Sequence, residues 1–445
     1  MEHPDRGGRD LRVLPGGTDP ANVAALLGAL REVLDAAAPG TLAAGRPPVL
    51  VPVDAGADLA AAADGLRARV PAGVPAEGVD VVVQTSGSTT GRGHLVGISA
   101  AALRASAQAT HARLAGPGTW LLCLPAHHIA GVQVLVRSAL AGTDPVVLDV
   151  SAGFSVDAFV AAALRARDDA ATPLYCSVVP TQLVRLLDFG RPDALDALRA
   201  FDAILVGGAA TAPHVLDRAR AAGVRAVTTY GMSETGGGCV YDGRPLDGVG
   251  VRVDDDGRVL LSGPMVAHGY LDDPAASAAT FLAAPGGTCT VRTSDRGELT
   301  VAADGTTRLR VLGRMDDLII TGGIKVDPGV VAAVVAALPG IAEACVVGVP
   351  DPEWGQRVVA VVVPAHREVL RDGTGAGLVV APPPELARVR DAVKAALSPA
   401  HAPRDVLLTA HLPLRGPGKI DRRAVAAAAA GALDRSGDAS PRLGS

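Results

Sequence analysis

The chain has 445 residues, with 41 Lys and Arg against 46 Asp and Glu, and its aromatic content is five Phe, four Tyr and two Trp. That length exceeds one ordinary core and asks for two or more domains, while 49% hydrophobic and 20% charged residues exclude a disordered chain. The near balance of charge, without a basic run, excludes a nucleic-acid-binding surface.

The N-terminal MEHPDRGGRD is charged and lacks the apolar stretch of a secretory signal. Leu114–Val136 carries no formal charge, but its His127, His128, Gln133, two Pro and three Gly make a poor membrane span. Cys123, Cys176, Cys239, Cys289 and Cys345 are odd in number and scattered, which fits unpaired thiols in a reducing cytoplasm.

In chain order, Val81–Gln84, Trp120–Leu124, Pro145–Asp149, Tyr175–Val179, Ala203–Val206 and Arg225–Thr229 read as strands. Ala100–Ala112, Val156–Ala166, Thr181–Leu187 and Ala212–Ala222 carry helical spacing between them. Apolar strands alternating with helices predict an α/β fold whose mainly parallel sheet is covered on both faces. From Gly250 the texture changes: Val251–Ser262 and Glu298–Leu312, with turn signals Asp256-Gly257 and Asp304-Gly305, read as hairpins of a smaller antiparallel unit. After Gly313 the pattern predicts helices at Val330–Leu338 and Pro384–Leu397 and strands at Ala344–Gly348 and Val358–Val363. Low-complexity Ala426–Ala430 and a polar stretch after Asp434 end the predicted order.

Two loops carry chemistry. Thr85-Ser86-Gly87-Ser88-Thr89-Thr90-Gly91 follows an apolar strand; its glycines let backbone N–H groups approach a phosphate and its hydroxyls add donors. It is not a Walker A loop, since Arg92-Gly93-His94 follows where Lys-Ser/Thr is needed. Tyr230-Gly231-Met232-Ser233-Glu234-Thr235-Gly236 ends another strand and offers a ring face for a purine, a hydroxyl for a phosphate and a carboxylate for Mg²⁺. Taken singly, each also fits a plain turn with a capping serine and a surface glutamate.

Together the two loops resemble the phosphate loop and the Tyr-Gly-x-Ser/Thr-Glu motif of the adenylate-forming superfamily, which includes acyl- and aryl-CoA ligases, adenylation domains and luciferases. Further segments fall into that family's order: Leu124–Gly131 (LPAHHIAG), Val206–Ala210 (VGGAA), Ser294-Asp295, Gly313–Asp317 (GRMDD), Ile319–Lys325 (IITGGIK) and Gly416–Ile420 (GPGKI). Within the superfamily, Ser177–Leu183, Thr228–Gly238 and His127–Ser138 are most similar to the short o-succinylbenzoate–CoA ligases of menaquinone synthesis.

The resemblance implies a large N-terminal domain, residues 1–312, of stacked α/β subdomains with a small β-barrel-like subdomain. A hinge at 313–317 would lead to a small mobile α+β lid at 318–433, followed by a disordered tail at 434–445. It implies ATP, Mg²⁺ and CoA as reaction partners and two half-reactions, adenylation of a carboxylate and its transfer to the CoA thiol. In those roles Lys419 bridges carboxylate and phosphate, Glu234 holds Mg²⁺, and Thr85, Ser86, Gly87, Ser88, Thr89 and Ser233 contact phosphate. Tyr230, Gly231, Gly208 and Ala209 face adenine, and Asp295 and Arg314 reach the ribose. His128 walls the acyl pocket, Asp316 is the hinge pivot, and Gly322, Gly323 and Lys325 serve the CoA entrance. A second substrate carboxylate needs a cation: Arg137, nine residues after His128, is either that cation or an arginine of an exposed helix face. A homodimer is also an expectation of the resemblance alone.

The match departs at an extra Thr in the phosphate loop, at Gly93-His94 where Pro-Lys is usual, at Ser294 for Gly and at Val330 for Glu. Losing the lysine removes a cation from mobile pyrophosphate and predicts a slower first half-reaction. Another aryl- or acyl-CoA ligase, a carrier-loading adenylation enzyme and a non-catalytic relic stay open as alternatives; Lys419 and Glu234 argue against the relic.

Overall fold

In a computed structural model of the chain, the apolar runs Leu174–Val178 and Ala203–Val206 are buried at every residue, as strands are when helices cover both faces of a parallel sheet. The structure describes residues 9–38, 46–70, 78–85, 93–169, 172–188, 191–283, 289–303, 305–365, 377–415 and 419–438. They belong to two units, one of residues 1–211, 216–293 and 299–310, the other of residues 212–215, 294–298 and 311–445.

The first unit is built on a seven-stranded sheet ordered Arg244–Pro245, Gly237–Tyr241, Ala226–Met232, Ala203–Val206, Leu174–Val178, Thr119–Leu122 and Val146–Val147. From Val146–Val147 to Ala226–Met232 every pairing is parallel, with Leu121 opposite Cys176, Cys176 opposite Ile204 and Leu205 opposite Val227. The sheet then reverses, Gly237–Tyr241 running antiparallel to Ala226–Met232.

A second sheet orders Leu11–Pro15, Val49–Val53, Val81–Gln84, Leu95–Ile98 and Gly269–Tyr270, parallel over the first three and antiparallel beyond. Arg9 ties its start together, donating to Pro47 O at 3.0 Å and Val79 O at 2.6 Å and pairing with Asp80 at 2.8 Å. The helix Pro20–Ala36 begins where Asp19 accepts from the Ala21 and Asn22 amides. It buries Leu26, Leu30 and Leu34 against a core that includes Val134 and Leu135 of the helix Ile129–Ala141.

The expected antiparallel unit is a third sheet of Gly250–Val253, Arg258–Ser262, Cys289–Val301 and Phe281–Ala283, with Thr307–Arg314 pairing Cys289–Val301. Its first turn closes at Asp254–Gly257 through the Gly257 amide on Asp254 O at 2.9 Å; Asp304 of the second expected turn lies outside the described residues.

In the second unit, Ile341–Asp351 and Gly355–Pro364 form a long antiparallel pair, and Gly355–Pro364 runs parallel to Asp405–Leu408. Valines alternate across this sheet. Val358, Ala360 and Val362 pack on Val331, Val335, Val389 and Val393 of the helices Pro328–Ala336 and Pro383–Ala396. Val359, Val361 and Val363 face Val425, Ala429 and Ala432 of the helix Arg422–Asp438. A strand covered on both faces therefore reads as one apolar run.

That last helix corrects one expectation. The resemblance implies a disordered tail at 434–445, whereas the helix runs unbroken to Asp438, its alanine run favouring helix and its Val425–Ala429–Ala432 stripe buried; residues 439–445 lie outside the described set.

Asp327, 6% exposed, caps Pro328–Ala336 by accepting from Gly329 N at 2.8 Å and also pairs with Arg296 at 3.3 Å. Replacing it, Asp327→Ala, is expected to destabilise the second unit by about 1–2 kcal/mol in guanidinium unfolding. An unmoved midpoint would contradict the capping role.

Candidate active site

The strand Ala226–Met232 extends through Tyr230 and Gly231, past the loop start expected at residue 230, because antiparallel pairing continues: Tyr230 sits opposite Val240 and Gly231 opposite Gly238. Gly231 is required there, since a Cβ would collide with the carbonyl of Gly237. The chain then winds into one short turn, Ser233–Thr235. Thr235 locks it, its hydroxyl accepting from the Met232 amide at 3.0 Å and lying 2.8 Å from Gly237 O. Gln133 of the helix Ile129–Ala141 donates to Gly236 O at 2.6 Å, and the Ala267 amide donates to Glu234 O at 2.9 Å.

The Glu234 carboxylate accepts from the Tyr270 hydroxyl at 2.6 Å on Oε1, and its second oxygen has no hydrogen-bond partner among the described residues. Tyr270 in turn stacks on His94, ring centroids 4.3 Å apart and planes inclined by 21°. His94 closes the base of the phosphate loop: Thr85 N donates to His94 O, and His94 N donates to Thr85 Oγ1, each at 2.9 Å. The Thr85 hydroxyl keeps its own hydrogen as a donor. Ser86, Gly87, Ser88 and Thr89 lie outside the described residues. Arg69 anchors the same base, donating to Gly93 O and pairing with Asp272, both at 2.5 Å, while Asp272 also accepts from Leu95 N.

His128 begins the helix Ile129–Ala141. Its neighbour His127 has its ring 4.3 Å from that of His128 and its Nε2 3.6 Å from Asp54, and burial lowers its pKa despite that carboxylate. Gly208 and Ala209 follow the strand Ala203–Val206 and are exposed.

Arg137 is not on an exposed face. It is 3% exposed, two turns after Ile129 and one after Gln133, with its guanidinium 4.9 Å from the Trp120 ring centroid. Its Nε has no hydrogen-bond partner, and among the described residues it has no ion pair. Burial lowers its pKa against the opposing influence of Tyr241, yet a guanidinium keeps its charge at neutral pH. Nearby, Thr110 Oγ1 and the Tyr241 hydroxyl lie 2.9 Å apart, and the buried His111 Nε2 and Gln133 Oε1 are also unpartnered. Burial and the Arg137 charge push the His111 pKa down to about 4, so it is neutral at pH 7. Buried polar groups thus lead from the Gly236 carbonyl into the core and end on a cation with no ion pair among the described residues.

The second unit holds the remaining candidates. Arg314 pairs with Asp316 at 2.9 Å; burial works to lower its pKa, but that bond and the carboxylates of Asp295, Asp316 and Asp317 outweigh it and the net direction is up. Gly322 and Gly323, at φ +56° and +78°, form the turn between the paired strands Ile319–Thr321 and Ile324–Val326, where Lys325 faces Ile320 and is exposed. Lys419 is half-buried and pairs with Arg415 in a short antiparallel ribbon; Gly416–Gly418 lie outside the described residues. Burial pushes the Cys123 and Cys239 thiols up to about 12, which marks them as core residues and not nucleophiles.

Sequence reasoning missed Tyr270, Arg69, Asp272, Gln133 and His111. None belongs to a loop motif, and each acts across a sequence separation that periodicity does not report.

The sequence profile of the AMP-binding enzyme family matches residues 35–271, and that of the AMP-binding enzyme C-terminal domain matches residues 331–419. The chain belongs to the AMP-binding enzyme family. It is 43% identical to a probable 2-succinylbenzoate–CoA ligase of Mycobacterium tuberculosis over 80% of this chain and 86% of that one. It is 25% identical to the o-succinylbenzoate CoA synthetase of Bacillus subtilis solved with the acyl-adenylate OSB-AMP, with a TM-score of 0.61, 78% of this chain and 69% of that chain covered. The fold extends further: ATP-bound MatB from Rhodopseudomonas palustris, 21% identical, superposes with a TM-score of 0.70 over 96% of this chain and 90% of its own.

In this family member Mg²⁺ fits the donor set at Glu234. No group of three or more His, Cys, Asp or Glu gathers among the described residues, but Mg²⁺ ordinarily takes one or two carboxylates together with substrate phosphates, and the second Glu234 oxygen is available for it.

His111 gives the unit a pH dependence. Its folded pKa near 4 lies below the ordinary 6.5, so the unfolded chain binds the extra proton in that window and stability falls as pH drops from about 6.5 toward about 4. Unfolding curves between pH 7 and 4.5 are expected to lose on the order of 2–3 kcal/mol from this group, and His111→Leu is expected to flatten that part of the curve. An unchanged slope in the variant would refute the assignment.

Proposed function

We propose that the protein is an AMP-forming acid–thiol ligase that adenylates 2-succinylbenzoate with ATP and passes the acyl group to CoA, a step of menaquinone biosynthesis. The observation that carries the substrate class is Arg137, a buried cation without a counter-charge among the described residues, at the end of a polar track that starts beside the Glu234 turn. An aromatic acid with a second carboxylate supplies the missing charge. The 43% identity to a probable 2-succinylbenzoate–CoA ligase supports the same reading.

In the first half-reaction the substrate carboxylate attacks the α-phosphorus and pyrophosphate leaves; in the second the CoA thiol, giving up its proton, attacks the acyl carbon and AMP leaves. Lys419 supplies a point cation to the carboxylate and phosphate oxygens as charge concentrates on them. Glu234 would hold Mg²⁺, which when bound would neutralise phosphate charge. Thr85, Ser233, the hydroxyls of Ser86, Ser88 and Thr89 and the Gly87 amide donate to phosphate, Tyr230 offers its ring to adenine beside Gly208, Ala209 and Gly231, and Asp295 and Arg314 take the ribose. His128 walls the acyl pocket from the adenylate. On family resemblance, Asp316 would be the hinge pivot and Gly322, Gly323 and Lys325 would serve CoA in the second half-reaction. We place the enzyme in the cytoplasm on its unpaired cysteines; among the described residues no helix is long and apolar enough to cross a membrane. A homodimer is proposed on family resemblance alone.

Lys419→Ala is expected to slow pyrophosphate release about 10²–10³-fold while leaving thioester formation from supplied acyl-adenylate near the wild-type rate. Equal loss in both half-reactions would reject the assignment.

Arg137→Leu is expected to lower kcat/KM for 2-succinylbenzoate about a hundredfold, with little change for benzoate or a medium-chain acid, in a coupled pyrophosphate-release and thioester assay. The same variant should melt at a higher temperature, because it removes a buried charge that has no counter-charge among the described residues. Wild-type activity on fatty acids and none on 2-succinylbenzoate would overturn the substrate assignment.

A further inference from the structure

We propose that Tyr270 is a positioning residue for the metal-bearing phosphate site: its hydroxyl holds Glu234 so that one carboxylate oxygen is satisfied by protein and the other is presented to a divalent cation. The inference rests on the reading of Glu234 as the Mg²⁺ ligand and names what fixes it.

Glu234 sits in a turn of only three residues, Ser233–Thr235, where neighbouring turns of helix do not confine a long side chain. The constraint comes from outside the motif. Tyr270 donates to Glu234 Oε1 at 2.6 Å, the length of a charge-assisted O–H···O⁻ bond. No second protein group takes the other oxygen among the described residues. Tyr270 is itself immobilised on four sides. Its backbone pairs with Val96, its amide donates to Ser277 Oγ at 3.1 Å, its ring stacks on His94 at 4.3 Å, and Phe281 meets it edge-on at 5.2 Å.

His94 connects this arrangement to the phosphate loop, since its backbone exchanges two hydrogen bonds with Thr85 at the loop's base. One phenol therefore touches both phosphate-handling segments, by its ring to the residue that closes the loop and by its hydroxyl to the carboxylate. Where a lysine is usual, His94 contributes a stacking surface that orients Tyr270. Glu234 needs a donor at its far oxygen because an unrestrained carboxylate would turn both oxygens to solvent and pay for ordering each time nucleotide arrived.

The test is Tyr270→Phe, which keeps the ring and its stacking and removes only the hydroxyl. Binding of Mn²⁺, an EPR-visible stand-in for Mg²⁺, is titrated on the full-length protein with ATP present and the acid substrate absent, beside Glu234→Gln. Tyr270→Phe is expected to weaken Mn²⁺ binding about tenfold. It should raise by a similar factor the Mg²⁺ concentration for half-maximal pyrophosphate release, with the KM for the aromatic acid and the melting temperature unchanged. Wild-type Mn²⁺ affinity in Tyr270→Phe, with loss in Glu234→Gln, would overturn the positioning role alone. Wild-type affinity in Glu234→Gln would overturn the metal-ligand reading beneath it. A parallel rise in the KM for the acid, or a lowered melting temperature, would make Tyr270 a structural residue and equally reject the proposal.

Discussion

The first unit depends on the turn Ser233–Gly237 being held from several sides at once. Backbone carbonyls in a tight turn have no ladder to join, and leaving them buried and unpaired costs as much as a lost hydrogen bond. Here Gly236 O receives Gln133, Glu234 O receives the Ala267 amide, and Thr235 bridges the turn's two ends. The donors come from the helix Ile129–Ala141 and from the segment leading into Gly269–Tyr270, so separate layers of the unit converge on five residues. The parallel sheet delivers Tyr230 to this point, and the surrounding hydrogen bonds prevent the turn from pivoting. Orientation of Glu234 is then a consequence of the fold and not of local propensity.

The same helix explains how a charge comes to be buried. Ile129, Gln133 and Arg137 recur every fourth residue and so share one face. The turn that anchors Gln133 to Gly236 carries Arg137 inward beneath Trp120. The ring offers a cation–π contact, a partial compensation for a guanidinium taken out of water. His111 cannot add a second positive charge there, because burial and Arg137 keep it neutral. A dry core would be more stable with leucine in that position. Retaining arginine makes physical sense where a carboxylate completes the pair, so under the proposed function stability and substrate recognition would pull in opposite directions at this residue.

The architecture of the parallel sheet was legible because β-branched runs buried on both faces have no polar alternation, as at Leu174–Val178 and Ala203–Val206. The two strands before Val81 were not, since Val49–Val53 pairs with Leu11–Pro15 across a long helix and only the assembled sheet identifies either. Loop motifs announced Glu234 and Thr85 because glycine and hydroxyl residues cluster there for backbone reasons. Arg137 stood undecided in the sequence between a cation for a second substrate carboxylate and an arginine of an exposed helix face, and its burial on the helix anchored by Gln133 to Gly236 removes the exposed face. The Arg69–Asp272 pair was silent: two ordinary charged residues 203 positions apart, brought together at 2.5 Å.

Aromatic scarcity gives the arrangement of the tyrosines added weight. A phenol occupies more volume than the alanines and valines that fill most of this core, so it is kept where a ring and a hydroxyl are both used. Tyr175 packs on Trp120 and donates to Gly116 O at 3.0 Å. Tyr241 is fully buried and meets Thr110 at the deep end of the polar track. Tyr270 joins His94 to Glu234, and Tyr230 packs against the third sheet's core while lying in the strand that leads to the turn. Three of these hydroxyls bond to groups a hydrocarbon ring would leave unsatisfied, so phenylalanine would preserve the packing at each position and lose the polar connection. With so few rings available, those connections trace a line from the phosphate loop through the Glu234 turn to the buried arginine, which is the path the proposed chemistry requires.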